Sequence, residues 1–286
     1  MMSTTHSKTH SATIESVSLH YLGEGVAELV LNRPEKHNAF DDSMIAALIE
    51  KLDEAEQNAS LHMLLLRSEG KHFSAGADLG WMKRMAGNSH AENLTDAGEL
   101  ARLMDKLNHF SKPVIGLIQG AAYGGAVGLA ACCDLVIASR DARFCLSEVK
   151  IGLIPAVISP YVIRAIGERQ ARRYFISAEV FDADTAQSFG LVHQVVESAA
   201  NLSEAAQGFI AQLKQNSPQA MQAAKSLIFA VSHLPISKQV IDVTTQRIAD
   251  IRVSDEGQEG LSAFLNKRRP NWPSKLAVET GTGEEE

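Results

Sequence analysis

Apolar positions follow two rhythms along the chain. Residues 14–22 and 26–31 read as strands, and Gly23-Glu24-Gly25 between them is a hairpin signal. The loop NRPEKHNAF at 32–40, broken by Pro34, follows. Ile45, Leu48, Ile49 and Leu52 then share one helical face, and Asp41 or Asp42 can cap that helix. Residues 61–66 form a continuous apolar run of strand length, which predicts a buried strand. The loop GKHFSAGAD leads to a second amphipathic helix marked by Leu100, Leu103, Leu107 and Phe110. Past Pro113, residues 114–118 read as another buried strand. GAAYGGAVGLAACCD is small and apolar, which predicts a tightly packed helix, and residues 135–138 read as a fourth buried strand.

Strands alternating with helices imply parallel pairing through crossover helices, hence an α/β layer architecture. The rhythm changes near residue 200, beyond which the pattern is almost purely helical. Ser217-Pro218 reads as an N-cap followed by proline at the first helical position. Met221, Ala224, Leu227 and Ile228 form one stripe; Val240, Ile241, Ile248 and Ile251 form another. The expected division is a disordered N-terminal tail (1–12), a core (13–200), a helical C-terminal subdomain (201–275) and an acidic disordered tail (276–286). No internal repeat is visible.

Composition narrows the class. A chain of 286 residues with 45% apolar content has ample material for a core. The net charge of −7 argues against a nucleic-acid footprint and against a polybasic membrane patch. The three cysteines, Cys132, Cys133 and Cys145, are odd in number and contain no C-x-x-C pair. They read as buried thiols of a cytoplasmic protein, not as a disulfide framework or a zinc site. The N-terminus MMSTTHSKTHSAT lacks the apolar stretch of a secretory signal and the arginines of a transit peptide. No apolar run reaches membrane-spanning length.

Three segments stand where chemistry is possible. In HFSAGAD, at 72–78, small residues let a ligand approach the backbone, and Asp78 can cap a helix containing Trp81 and Met82. The same residues also make an ordinary tight turn. GAAYGGAVG, at 120–128, places glycines at a helix start, where unpaired N–H donors face outward. It also serves as a close-packing helix. In FCLSEVKIG, at 144–152, Glu148 lies among mostly apolar neighbours, a setting that raises a carboxylate pKa and suits acid–base work. A surface pairing with Lys150 is the other reading. The patterns G-x-S-x-G, G-x-x-x-x-G-K-[ST], H-E-x-x-H and a dinucleotide G-x-G-x-x-G are absent, and the ten histidines are scattered, so no metal site is expected. Ser74 has His72 nearby but no evident acid partner.

Taken in order, five segments resemble the crotonase family of enoyl-CoA hydratases and isomerases, over about residues 14–272. NRPEKHNAF resembles the family's CoA-contact loop. FSAGADL (73–79) and GAAYGGAVGLAACCDL (120–135) resemble its two oxyanion segments, FCLSEVKIGLIP (144–155) its catalytic-glutamate segment and FLNKRRPNW (264–272) its C-terminal ending. The resemblance implies an α/β crotonase-like (ClpP/crotonase) fold, a spiral of ββα units with a helical C-terminal trimerisation subdomain. It implies that Ala75 and Gly125 supply the oxyanion-hole N–H groups and that Glu148 is the catalytic carboxylate. Lys36, Ala39, Ala77, Asp78, Leu79 and Lys267 are the implied CoA contacts, with Lys267 reaching a neighbouring subunit's ligand in a homotrimer or a pair of trimers. The family's hydratases carry a first glutamate where this chain has Gly128. No cofactor is implied beyond the coenzyme A of the substrate.

Within the family, GGAVGL, FCLSEVKIGL, FSAGADLGWM and PAVISPYVIRAIGERQARRYF are similar to bacterial methylglutaconyl-CoA hydratases of leucine breakdown. The expected reaction is therefore hydration of 3-methylglutaconyl-CoA to 3-hydroxy-3-methylglutaryl-CoA. The alternatives are an isohexenylglutaconyl-CoA hydratase of terpene breakdown and a Δ3,Δ2-enoyl-CoA isomerase, which needs only one carboxylate. An RNA-binding role is disfavoured by the charge. Lys83, Arg84, Lys150 and Arg164 are the cations available for a distal substrate carboxylate.

Overall fold

The structure, a computed structural model, describes residues 15–232 and 234–272. The expected tails at 1–12 and 276–286 lie outside them. Ten helices and nine strands are formed among the described residues. A six-stranded sheet has the order β1-β2-β3-β4-β6-β9. It comprises β1 (Val17–Gly23), β2 (Val26–Leu31), β3 (Met63–Ser68), β4 (Val114–Ile118), β6 (Leu135–Ser139) and β9 (Gln194–Val196). The β1–β2 hairpin is antiparallel and every later pairing is parallel. The first strand begins at Val17, later than the sequence pattern placed it.

Parallel strands covered on both faces carry near-continuous apolar runs because successive side chains alternate between two cores. Leu64 and Leu66 face one core with Leu29, Leu31 and Val136, covered by α1 (Asp42–Gln57), α3 (His90–Asn108), α4 (Gly125–Cys132) and α5 (Ser159–Ser177). Met63 and Leu65 face the other with Ile115, Leu117 and Ile137, covered by Leu202, Ala206 and Ile210 of α7 (Leu202–Leu213). Asp41, not Asp42, caps α1, accepting the Met44 N–H.

A second sheet has the order β5-β7-β8, formed by β5 (Ala121–Tyr123), β7 (Arg143–Cys145) and β8 (Phe181–Asp182). Here the single helix expected over 120–134 is corrected. Its first part is β5, and only Gly125 onward is helical. Tertiary pairing decides this: β5 is parallel to β7, and Ala122 bridges Ser74. Helix α6 (Ala183–Ser188) completes this region.

The C-terminal helices α8 (Pro218–Val231), α9 (Lys238–Val253) and α10 (Asp255–Leu265) pack on one another. Ser217 caps α8 as expected, and Glu256 of α10 also accepts the Gln219 N–H. Buried Lys225 ties α8 to the core, reaching Asp134 at 2.6 Å and the Lys112 carbonyl at 3.3 Å. Ile228, Ile241, Leu261 and Phe264 of these helices stay exposed.

Candidate active site

Three loops converge where strand ends of the two sheets meet. The ring of Phe40 lies against Gly125, since a Cβ there would be 3.6 Å from it. The Phe40 main chain is clasped by the segment 76–78, its N–H donating to Gly76 O (2.8 Å) and its carbonyl accepting from Asp78 N–H (2.7 Å). Segment 73–76 runs beside β5: Ser74 N–H donates to Ala121 O and Tyr123 N–H to Ser74 O, both at 3.0 Å. At the end of β5, Gly124 N–H donates to Cys145 O at 2.9 Å, which holds the Glu148 segment alongside. Gly124 has φ 55° and ψ −122°, a conformation that glycine reaches without strain. It turns the chain so that Gly125 opens α4.

As the first helical residue, Gly125 presents an N–H that precedes the first intrahelical bond. The first donor needs correcting. Ala75 N–H donates to the His37 carbonyl at 3.0 Å and is therefore spent. Two residues on, the Ala77 N–H has no acceptor among the described residues, and Ala77 is exposed. The segment expected to supply a donor is in place, but the free N–H belongs to Ala77.

Glu148 follows β7 in a short 3-10 turn, Glu148–Ile151. Its carboxylate lies against Gly124, where a Cβ would stand 3.2 Å from Oε1. Glu148 Oε2 is buried and unpaired, the sole side-chain oxygen or nitrogen in that state among the described residues. Burial holds the carboxyl above its usual range, opposed by a hydrogen bond from its own backbone. Among the described residues Glu148 Oε2 has no partner, so the surface pairing with Lys150 is not formed there. An unpartnered buried carboxyl oxygen is costly to stability and marks a candidate functional site.

Gly128 is not an open vacancy. A Cβ built there would fall 2.3 Å from Ile158 Cγ2 and 3.1 Å from Met104 Sδ. Ile158, buried at the start of α5, occupies the volume that a side chain at 128 would need. Gly128→Ala is expected to cost about 1–3 kcal/mol by overpacking. Gly128→Glu adds a desolvated carboxylate and is expected to lower Tm by roughly 10 °C or to prevent folding. Combining it with Ile158→Ala should recover part of the loss in a thermal melt. Equal melting of Gly128→Ala and the parent would contradict the crowding.

The expected CoA contacts largely gather. Lys36 Nζ is 3.5 Å from Asp78 Oδ2, and Arg33 bridges Asp41 (2.6 Å) and Asp78 (3.8 Å). Asp78 caps α2 (Leu79–Met85) by accepting from Trp81 and Gly80 N–H; the Trp81 bond, then the Lys36 charge and the Gly80 bond, hold its carboxyl below the usual range against burial. Ala39 is buried beside them and Leu79 is exposed. Lys267 stands apart. It has a left-handed φ of 53°, and the neighbouring segment is anchored elsewhere by Arg268 to Glu259 (2.6 Å) and Trp272 Nε1 to Gln215 O (2.9 Å). Of the cations proposed for a distal carboxylate, Arg84 is engaged by Asp42 at 2.5 Å. Sequence reading passed over Phe40, Asn38 and Ile158, whose roles arise from contacts across distant segments.

The Ser74–Ala122 pairing, the Gly124–Cys145 bond and the contact of Glu148 with Gly124 tie the 73–78, 120–125 and 145–148 segments together. The sequence profile described as enoyl-CoA hydratase/isomerase matches residues 22–275. A crystal structure of an enoyl-CoA hydratase from Shewanella pealeana is 51% identical and superposes with a TM-score of 0.87, covering 91% of this chain and 96% of that one. The 2,3-dehydroadipyl-CoA hydratase of Escherichia coli is 32% identical, over 86% of this chain and 94% of its own length. The mitochondrial Delta(3,5)-Delta(2,4)-dienoyl-CoA isomerase of Dictyostelium discoideum is also 32% identical, over 88% of each. The chain belongs to the enoyl-CoA hydratase/isomerase family and has the crotonase fold.

Proposed function

We propose that the chain is a hydratase of a C3-branched enoyl-CoA, with 3-methylglutaconyl-CoA as the first substrate to test and 3-hydroxy-3-methylglutaryl-CoA as product. The observation that carries this reading is the buried, unpaired Oε2 of the Glu148 carboxyl beside the start of α4. In the proposed step the thioester oxygen accepts the Ala77 and Gly125 N–H groups. Two fixed donors stabilise the enolate-like charge where it develops. Glu148 takes a proton from the water that attacks C3 and returns it to C2, so one carboxyl serves both transfers. This chemistry calls on no metal or redox cofactor. Similarity of the segments around residues 73–82, 124–129 and 155–175 supports the branched dicarboxylic substrate.

A second reading, Δ3,Δ2-isomerisation, is favoured by one observation: Ile158 leaves no room for a carboxylate at 128. A single base shuttling a proton between C2 and C4 suffices for it. Incubation in ¹⁸O-water separates the two. The hydratase is expected to place ¹⁸O in product from methylglutaconyl-CoA, faster than from isohexenylglutaconyl-CoA or crotonyl-CoA. Conversion of a trans-3-enoyl-CoA with no label uptake from any 2-enoyl-CoA would establish the isomerase instead.

The reading includes assembly as a homotrimer or a pair of trimers, supported by the exposed apolar residues of α8–α10, with Lys267 serving a neighbour's CoA. Cytoplasmic residence fits Cys132, Cys133 and Cys145, which are buried free thiols. Among the described residues no helix is long and apolar enough to cross a membrane.

A further inference from the structure

An oxyanion hole built from two segments works only if something fixes one segment against the other. Here they pair as a short parallel ladder, with Ser74 bridging Ala122, Tyr123 N–H donating to Ser74 O and Ser74 N–H to Ala121 O. One step back, a regular parallel ladder would send the Ala121 N–H to the His72 carbonyl. It goes instead to His72 Nδ1, at 3.0 Å. The carbonyl thus released accepts from Asn38 Nδ2 (2.9 Å) and Ser68 Oγ (3.2 Å). Asn38 is fully buried; its Oδ1 accepts the Arg33 N–H (2.8 Å) and its Nδ2 also donates to Glu69 O (2.8 Å). One residue therefore joins β5, which leads to Gly125, to the segment of Ala77 and to the loop of Lys36. The space is committed: a Cβ on Gly120 would lie 2.7 Å from His72 Nδ1 and 2.2 Å from Lys71 O.

We propose that His72 is a positioning residue of this active site, its Nδ1 standing in for its own carbonyl in the ladder and setting the separation of the Ala77 and Gly125 N–H groups. The proposal rests on the oxyanion reading above. Nδ1 accepts only in the neutral tautomer with the proton on Nε2. A protonated ring would point N–H at N–H, and the rung would be lost. The charged and titratable groups facing the ring are His37, edge-on at 5.1 Å between centroids, Lys71 on the same segment, and Asp141 from the turn after β6. Burial, then His37 and Lys71, hold the imidazole below its ordinary pKa, against a smaller pull from Asp141. The accepting form is therefore the one present at neutral pH, and acid releases the lock.

The test uses the full-length protein labelled with ¹⁵N-histidine. Long-range ¹H–¹⁵N spectra should show His72 as the Nε2–H tautomer at neutral pH. His72→Ala should lower kcat about tenfold to a hundredfold, the scale of a small misplacement, with a much smaller change in KM. His72→Asn, which keeps an acceptor near the same place but does not titrate, should restore most of kcat and remove the acid-side step assigned to His72. An Nδ1–H tautomer overturns the proposal, as does a His72→Ala enzyme within about twofold of parent kcat. If the alanine variant does not fold, the tautomer and the asparagine pH profile decide. A normal His72→Ala enzyme beside an inactive Gly125→Pro enzyme would overturn this proposal and leave the oxyanion reading standing.

Discussion

Glu148→Gln is expected to leave a folded protein whose turnover is lower by about 10²–10⁴-fold, the usual contribution of a positioned acid–base group. Glutamine keeps the shape of the side chain against Gly124 and removes only its ability to exchange a proton. The loss should fall in kcat, because in the proposed mechanism the carboxyl acts in the chemical step. Stability should move the other way. Burial raises the folded-state pKa of Glu148 above its unfolded value, so the folded state binds more protons between the two. Its contribution is present at low pH and is lost as pH rises through the folded pKa. Above its folded-state pKa the parent carries a desolvated charge that the glutamine variant lacks, and at such pH the variant should melt at a higher temperature. Near wild-type kcat would remove Glu148 from the reaction. A lower Tm would contradict the burial cost assigned to its charge.

Gly125→Pro is expected to lower kcat by about 10²–10³-fold, equivalent to about 2.7–4 kcal/mol of barrier, by deleting one oxyanion donor. The position makes this a clean substitution. Gly125 is the first residue of α4, where proline is tolerated because the N–H has no helical acceptor. A Cβ there meets only the Phe40 ring, at ordinary contact distance. Circular dichroism should show an intact fold, and substrate analogues lacking the thioester carbonyl should bind the variant and parent alike. A folded variant with full kcat would show that the oxyanion is held elsewhere.

Much of the fold is legible in the linear pattern, since it rests on local spacing and two-sided burial. The apolar runs at 61–66 and 114–118 mark β3 and β4, and the Ile45–Leu52 stripe marks α1. What escaped is set by contacts between distant segments. β5 is only three residues of small side chains, helical by composition and extended because Ser74 and β7 pair with it. The glutamate segment was legible because a lone carboxylate among apolar residues is conspicuous. The donor was not, since the choice between Ala75 and Ala77 depends on the His37 carbonyl in another loop. Gly128 announces a missing carboxylate, but the side chain filling its place, Ile158, lies on the next helix.

That interlock has an evolutionary consequence. A second carboxylate cannot enter this framework through one substitution, because the acid at 128 and the side chain at 158 claim the same volume. If Ile158 shrinks first, an apolar hole opens in the core, costing about 2–5 kcal/mol for an isoleucine-to-alanine change. If the glutamate arrives first, it collides with Ile158 and Met104. Either order crosses an intermediate less stable than its ancestor, so the two positions are expected to change together or not at all, and the one-carboxylate state is an epistatic trap.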